Sequence, residues 1–180
     1  MLERFRALLR APEAKTSRAA QVIAFESGGR PRWTPRDFAA LAREGYARNA
    51  IAYRAVKMIA EGAAQLPLLA YEDAMERPQH AALALLTRPN PRQDGIALME
   101  AVYTHLLLAG NAYLEAVILD GAVREIYALR PDRMRVVPGP DGWPAAYDYT
   151  AGGRTVRFTQ SDARIPPVLH IALANPLDDH

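Results

Sequence analysis

The sequence contains no cysteine. That excludes thiol nucleophiles, disulfide frameworks, Cys-ligated zinc and iron–sulfur clusters, and it fits a reducing compartment. Histidine is scarce as well, at four in 180 residues. None of His80, His105, His170 and His180 stands in an H-E-x-x-H arrangement, so a zincin helix is excluded. No G-x-x-x-x-G-K-[ST] loop occurs, which excludes an NTP-driven motor of the P-loop type. The serines are Ser17, Ser27 and Ser161, and none sits in a G-x-S-x-G elbow. No apolar run reaches the roughly 18–20 residues a membrane span needs. The longest, Ile96 to Ala109, is interrupted by Glu100 and His105. No apolar stretch follows the charged N-terminus, so no secretory leader is expected.

What is present is globular in composition. Half the residues are hydrophobic, although alanine supplies 34 of them. A chain of this length makes one domain, or one domain plus an arm, and buries enough surface to fold without a disulfide or metal staple. The net charge is only +2, and its distribution matters more than its sum. Residues 1–36 carry eight bases against three acids, and the remainder is mildly acidic. A dedicated DNA-binding domain would show a single-sign surface, which this pattern lacks. Residues 1–33 therefore read as a flexible basic N-terminal arm, and residues 34–180 as the folded domain. The Arg-rich, amphipathic start (Leu2, Phe5, Leu8, Leu9) leaves a transit peptide or a surface helix as alternatives.

The ordered pattern begins at Thr34-Pro35-Arg36-Asp37, a capped helix start reaching about Arg43, with a soft spot at Gly45. A longer helix is expected from about Tyr46 to Gln65, ended by Pro67. Ala52, Val56, Ile59, Ala63 and Leu66 form its packing face, and Arg54, Lys57, Glu61 and Gln65 a charged one. Leu66 to Tyr71 reads as a strand, Glu72 to Pro78 as a loop, and His80 to Leu86 as a short helix. Asp94 caps a third main helix, Gly95 to Ala109, with Gly110 as its C-terminal glycine. That helix is apolar nearly all round and should be central. The period then changes to two. Strands are expected up to Ile118 and from Val123 to Leu129 around Asp120-Gly121. Further strands are Arg133 to Val137, then Tyr147 to Thr150 and Thr155 to Phe158 around Gly152-Gly153, and finally Val168 to Ala172. Helices followed by a meander of short strands give an α+β fold with an antiparallel sheet.

No catalytic constellation emerges. Glu100, Glu115 and Glu125 sit one per element and should face solvent or an interface. His105 reads as a satisfied core residue, and Asp178-Asp179-His180 as a polar terminus. Arg130-Pro131-Asp132-Arg133 with Arg135 is either a phosphate contact or a solvated turn with internal Arg–Asp pairing. Two functional alternatives remain open on the residues alone. One is a nucleic-acid-binding accessory protein using the basic arm. The other is a small α+β hydrolase or transferase built on Glu100, His105 and an acid from the strands.

Five stretches, taken in order, resemble the N-terminal part of the tailed-bacteriophage portal protein family, of the lambdoid-capsid and gene transfer agent type. They are Ala55 to Leu68 through Pro67, Leu85 to Pro91 with Pro89-Asn90-Pro91, Leu107 to Leu114 with Gly110, Asn111 and Tyr113, Leu129 to Met134 with Pro131-Asp132, and Asn175-Pro176 to Asp179. The resemblance implies a portal wing-like α+β domain that is C-terminally incomplete, truncated before stem and clip. It implies a non-enzymatic structural subunit without cofactor or metal. That subunit would belong to a homo-oligomeric ring of twelve, at a virion or procapsid vertex, assembled in the bacterial cytoplasm. DNA passes through such a ring during packaging and ejection. Its other partners would be the capsid protein and, through regions absent here, terminase and head-tail adaptor. No membrane is involved. The prolines, glycine and asparagines of these stretches have physical sense of their own. Pro89 and Pro91 force a rigid exit from a helix, Gly110 and Asn111 tolerate left-handed geometry, and Pro131-Asp132 turns the chain before Met134.

Overall fold

The chain builds helices first and strands second, as its change of period from 3.6 to two requires. The computed structural model describes residues 38–140, 143–160 and 165–174. The capped start at Thr34, the basic arm, Ser161, and Asn175 to His180 lie outside the described residues.

Helix α1 (Phe38–Ala40) widens at once into a π-helical turn, Leu41–Tyr46. Helix α2 spans Ala50–Ala64, so it starts four residues later than the expected Tyr46. The cause is Asn49, whose side-chain oxygen accepts from the N–H groups of Ile51 and Ala52 at 3.0 and 3.1 Å and restarts the helix as an N-cap. Leu66 to Tyr71 does not pair as a strand. Pairing begins only at β1 (Tyr71–Glu72), which folds back on β2 (Met75–Glu76) inside the stretch expected to be a loop. Helix α3 (Ala81–Thr87) is capped by the His80 ring, which accepts from Ala82 N–H at 3.2 Å. Helix α4 (Gly95–Ala109) has the expected ends. The Asp94 carboxylate accepts from Ala97 N–H at 2.8 Å, and Gly110 takes φ +70°.

The strands form two three-stranded antiparallel sheets. In the first, β3 (Asn111–Leu119) pairs with β4 (Ala122–Leu129) on one side and with β8 (Val168–Ala172) on the other. The second is a true meander of β5 (Met134–Pro138), β6 (Pro144–Ala151) and β7 (Arg154–Thr159). Both expected two-residue turns are there, with positive φ at Asp120, Gly121, Gly152 and Gly153. The α+β class stands, and the last strand returns to the first sheet as an edge strand beside β3 rather than extending the meander.

Alternation along β3 sorts its neighbours. Tyr113 and its register partners Leu129 and His170 share one face, which packs on Tyr147, Met134, Tyr149 and Phe158 of the second sheet. Ala112, Leu114 and Ala116 share the other, where α4 lies. On its far side α4 packs against α2. The order is thus α2, α4, the β4-β3-β8 sheet, then the β5-β6-β7 sheet. Helix α4 is central, as its all-round apolar character requires, with Leu98 and Val102 buried.

Candidate functional site

Pro89-Asn90-Pro91 joins α3 to α4 across the edge of the first sheet. Pro89 is fully buried, and its carbonyl accepts from Ile126 N–H at 2.8 Å. The buried Asn90 amide donates to the Ile126 carbonyl at 2.8 Å. Its oxygen accepts from the N–H groups of Arg92 and Gln93 at 2.9 and 3.1 Å. The motif is therefore a clamp that fixes the α3–α4 pair to β4. Pro91 is exposed, as is Pro67 beyond the end of α2.

At the helix-to-strand switch only Gly110 is left-handed. Asn111 opens β3, where the period of two was expected to begin, and does not use its tolerance of left-handed geometry. Its amide donates to the Ala109 carbonyl at 3.1 Å, and its oxygen faces His170 Nε2 at 2.7 Å, which fixes that nitrogen as the donor. The His170 ring stacks on Tyr113 at 4.5 Å and meets Tyr147 edge-on at 5.8 Å. Burial pushes both phenols up and holds the imidazole below its ordinary value. This aromatic cluster joins the two sheets.

Of three charged groups, Glu100 and Arg135 depart from the sequence expectation and Arg130 keeps to it. Glu100 does not face solvent, because Lys57 of α2 donates to it and also pairs with Glu61 at 3.3 Å. Glu100 and then Glu61 hold the Lys57 ammonium well above its ordinary value, against burial. The exposed Arg130 forms two bonds to Asp132, at 3.0 and 2.8 Å, within a 3-10 turn, Pro131–Arg133. That is the solvated-turn reading. Arg135 joins a different set that the sequence reading missed. Asp148 of β6 accepts from Arg157 of β7 at 2.6 and 2.8 Å and from Arg135 of β5 at 3.1 Å. These residues are direct register partners, so the ladder crosses all three strands of the second sheet. Arg157, then Arg135, hold the Asp148 carboxyl down to about 2.

Glu100 and His105 do not converge. Glu100 points toward α2, and five residues on a helix rotate His105 by about 140°. His105 meets Phe38 edge-on at 6.0 Å, and its buried Nδ1 has no hydrogen bond among the described residues, so it is not the satisfied core residue expected. Burial holds it below its ordinary value. Among the described residues no three metal-ligating side chains gather, and no helix is long and apolar enough to cross a membrane.

What the described residues do offer is apolar surface. Helix α2 packs through Ala60 and Ala64, the small residues that allow close approach. Ile59 and Leu66, expected on that packing face, are 53% and 68% exposed. The true packing face is rotated by about 100°, one helical residue, from the expected one. Ile51, Ala55, Met58, Ile59 and Gly62 consequently form an exposed stripe that leads to Leu66. Beside its end, Leu66, Pro67, Leu83, Ile96, Met99 and Tyr103 line an open cleft of about 740 Å³. Among the described residues nineteen large hydrophobic side chains are exposed and eleven hydrophobic residues are buried. The contiguous stripe on α2, rather than the scattered remainder, is the part of this exposure that marks a contact surface.

Comparison with known proteins agrees with this picture. Residues 50–180 match the family described as phage portal protein. An uncharacterized protein of Rickettsia felis is 31% identical over 142 residues, 76% of this chain and 36% of that protein. One of Rickettsia bellii is 28% identical over 139 residues, with the same two shares. The chain is also similar to a chain in the neck of an empty gene transfer agent particle computed with C6 symmetry, at TM-score 0.76 and 46% identity. A second match is to a native neck computed with C12 symmetry, at TM-score 0.69 and 45% identity. Each match covers 91% of this chain, but only 45% and 43% of the respective neck chains. The chain thus spans about a third of the curated relatives and less than half of the neck chains.

Proposed function

The chain belongs to the phage portal protein family, and on that premise we propose that it is a structural subunit of a portal ring at the vertex of a phage or gene transfer agent particle. The likeness at 44–46% identity to chains of gene transfer agent particles and necks carries this reading. A ring of twelve copies fits the neck computed with C12 symmetry. In this reading DNA passes through the ring, the capsid protein surrounds it, and terminase and adaptor meet it through parts of the fold that this chain does not span. Assembly would take place in the bacterial cytoplasm. The role is shape and contact rather than catalysis. The divergence of Glu100 and His105 on α4, and the surplus of exposed apolar side chains, both favour it. The motif residues Pro67, Pro89, Asn90, Pro91, Gly110, Asn111, Tyr113, Pro131, Asp132, Asn175 and Pro176 are proposed as framework positions.

The test is incorporation. A tagged copy of the chain, made in cells producing gene transfer agent particles, should copurify with them and label one vertex per particle in electron micrographs. Label spread over the capsid, or none on purified particles, would overturn the proposal.

A further inference from the structure

The fold sorts charges that the sequence leaves mixed. Residues 38–129 carry eight bases and ten acids, whereas residues 130–160, which supply the β5-β6-β7 sheet and its turns, carry five arginines and three aspartates. Two of those aspartates are already engaged, Asp132 by Arg130 and Asp148 by Arg157 and Arg135. Asp148 lies beneath its partners. It is 7% exposed, while the side chains of Arg135 and Arg157 are 75% and 57% exposed. Alternation sets these three residues on the outer face of the sheet with Thr150, Thr155 and Thr159, away from the Tyr147 and Phe158 side that packs inward. The three threonines are exposed, as is Arg133 at the entry to β5. Solvent therefore meets guanidinium and hydroxyl groups, with the carboxylate underneath.

We propose that the outer face of the β5-β6-β7 sheet binds the phosphate backbone of double-stranded nucleic acid without reading its sequence. The inference goes beyond the ring reading and does not depend on it, since passage of DNA through a ring asks for no binding on this sheet. Three features select the partner. First, the guanidiniums are held in place. Asp148 accepts three bonds from two forks of five N–H groups each, so most of the donors are left for a ligand. Donors fixed in advance lose less entropy on binding. Second, Arg135 and Arg157 stand two strands apart, about 10 Å, and over that length of its axis a duplex presents about six negative charges. Third, the apolar part of this face is the half-buried Val137 and the buried Ala146. A protein partner would need an aromatic or aliphatic anchor at the centre of the contact. Arginine with hydroxyl donors is instead the set that meets phosphates.

Residues 1–36 are basic too, so the test separates them from the sheet. Binding of the full chain to a duplex of about 20 base pairs and arbitrary sequence is followed by fluorescence anisotropy between about 0.05 and 0.2 M salt. Arg133→Ala with Arg135→Ala should weaken binding about tenfold or more at about 0.1 M salt, and should lower the slope of log affinity against log salt by about 2. Arg135→Lys keeps the charge and should keep the slope. In a chain that also carries Arg4→Ala, Arg6→Ala and Arg10→Ala, the sheet substitutions should lower the slope by the same amount. The absence of cysteine adds a local readout. An environment-sensitive dye on Thr155→Cys should respond to the duplex, and the same dye on Ile51→Cys should not. The inference is overturned by no binding at the lowest salt, by equal slopes for the sheet variant and the unmodified chain, or by a loss confined to the arm variant. Displacement of the duplex by polyglutamate at equal charge concentration also overturns it, and makes the face a site for an acidic protein.

Discussion

Asn90 shows how one side chain can hold three elements together. It is 3% exposed and spends both ends of its amide, donating to β4 and accepting from two N–H groups of the α3–α4 link. Asn90→Ala would leave the Ile126 carbonyl and two backbone donors without their partner in a buried site. Each buried unmet group costs about 1–3 kcal/mol, and water reaching the vacated space recovers part of it. The expected loss is about 3 kcal/mol, read as a lower urea midpoint at unchanged slope. Asn90→Asp keeps the acceptor but turns a donor into a negative oxygen beside a carbonyl, so it should be no milder. An effect under about 0.5 kcal/mol, the usual range of surface changes, would show that the clamp is ornamental. Pro89-Asn90-Pro91 was legible as a rigid exit, because proline geometry is local. The bonds to Ile126 were not, since they span 36 residues.

Element boundaries are legible in the sequence where they have their own chemistry and illegible where two patterns compete. Asp94 and Gly110 bracket α4 as expected, and Asp120-Gly121 and Gly152-Gly153 turn the hairpins. The β1-β2 hairpin was missed because its turn is Asp73-Ala74, with φ of 49° and 63°, and alanine is not a residue that announces left-handed geometry. The face of α2 was misplaced because its large aliphatic residues, not its alanines, define the strongest apolar stripe. Close approach to α4 selects the small residues Ala60 and Ala64 for the internal face, so the strongest stripe is not the internal one. Gly95 and Gly62 give the matching experiment. A Cβ on Gly95 would overlap the Leu86 carbonyl oxygen, where α3 crosses the start of α4, whereas one on Gly62 meets open space. Alanine gains up to about 1 kcal/mol over glycine within a helix, but forced overlap with backbone costs about 1–3 kcal/mol. Gly95→Ala should therefore destabilise by about 1–2 kcal/mol and Gly62→Ala should stabilise, both by denaturant titration. Equal effects of the two would refute the close α3–α4 approach.

For the whole molecule, the buried titratable groups set how stability responds to pH. The His105 and His170 rings lie below their ordinary value because burial disfavours the charged imidazolium. Unfolded, they take up protons as pH falls through about 6.5, and folded they resist. The unfolded state then binds more protons, so stability drops as pH falls below about 6.5. Glu115 works the other way. Burial pushes its carboxyl up, so above its unfolded value the folded state holds the extra proton and gains as pH falls. Asp148 acts last. With its carboxyl held at about 2, its contribution is present above the unfolded value of 3.8 and is lost as pH falls from there through 2. The melting temperature should be level from about pH 7 to 9, fall between pH 7 and 5, and collapse between pH 4 and 2. His105→Leu with His170→Gln should flatten the first fall and leave the second, because Asp148 and its two arginines lie on the other sheet, in the ladder across β5, β6 and β7. Arg157→Ala should instead move the acid collapse to higher pH and leave the fall between pH 7 and 5 in place. A melting temperature that rises from pH 7 to pH 5 in the unsubstituted chain would mean that Glu115, rather than the histidines, governs the domain near neutrality.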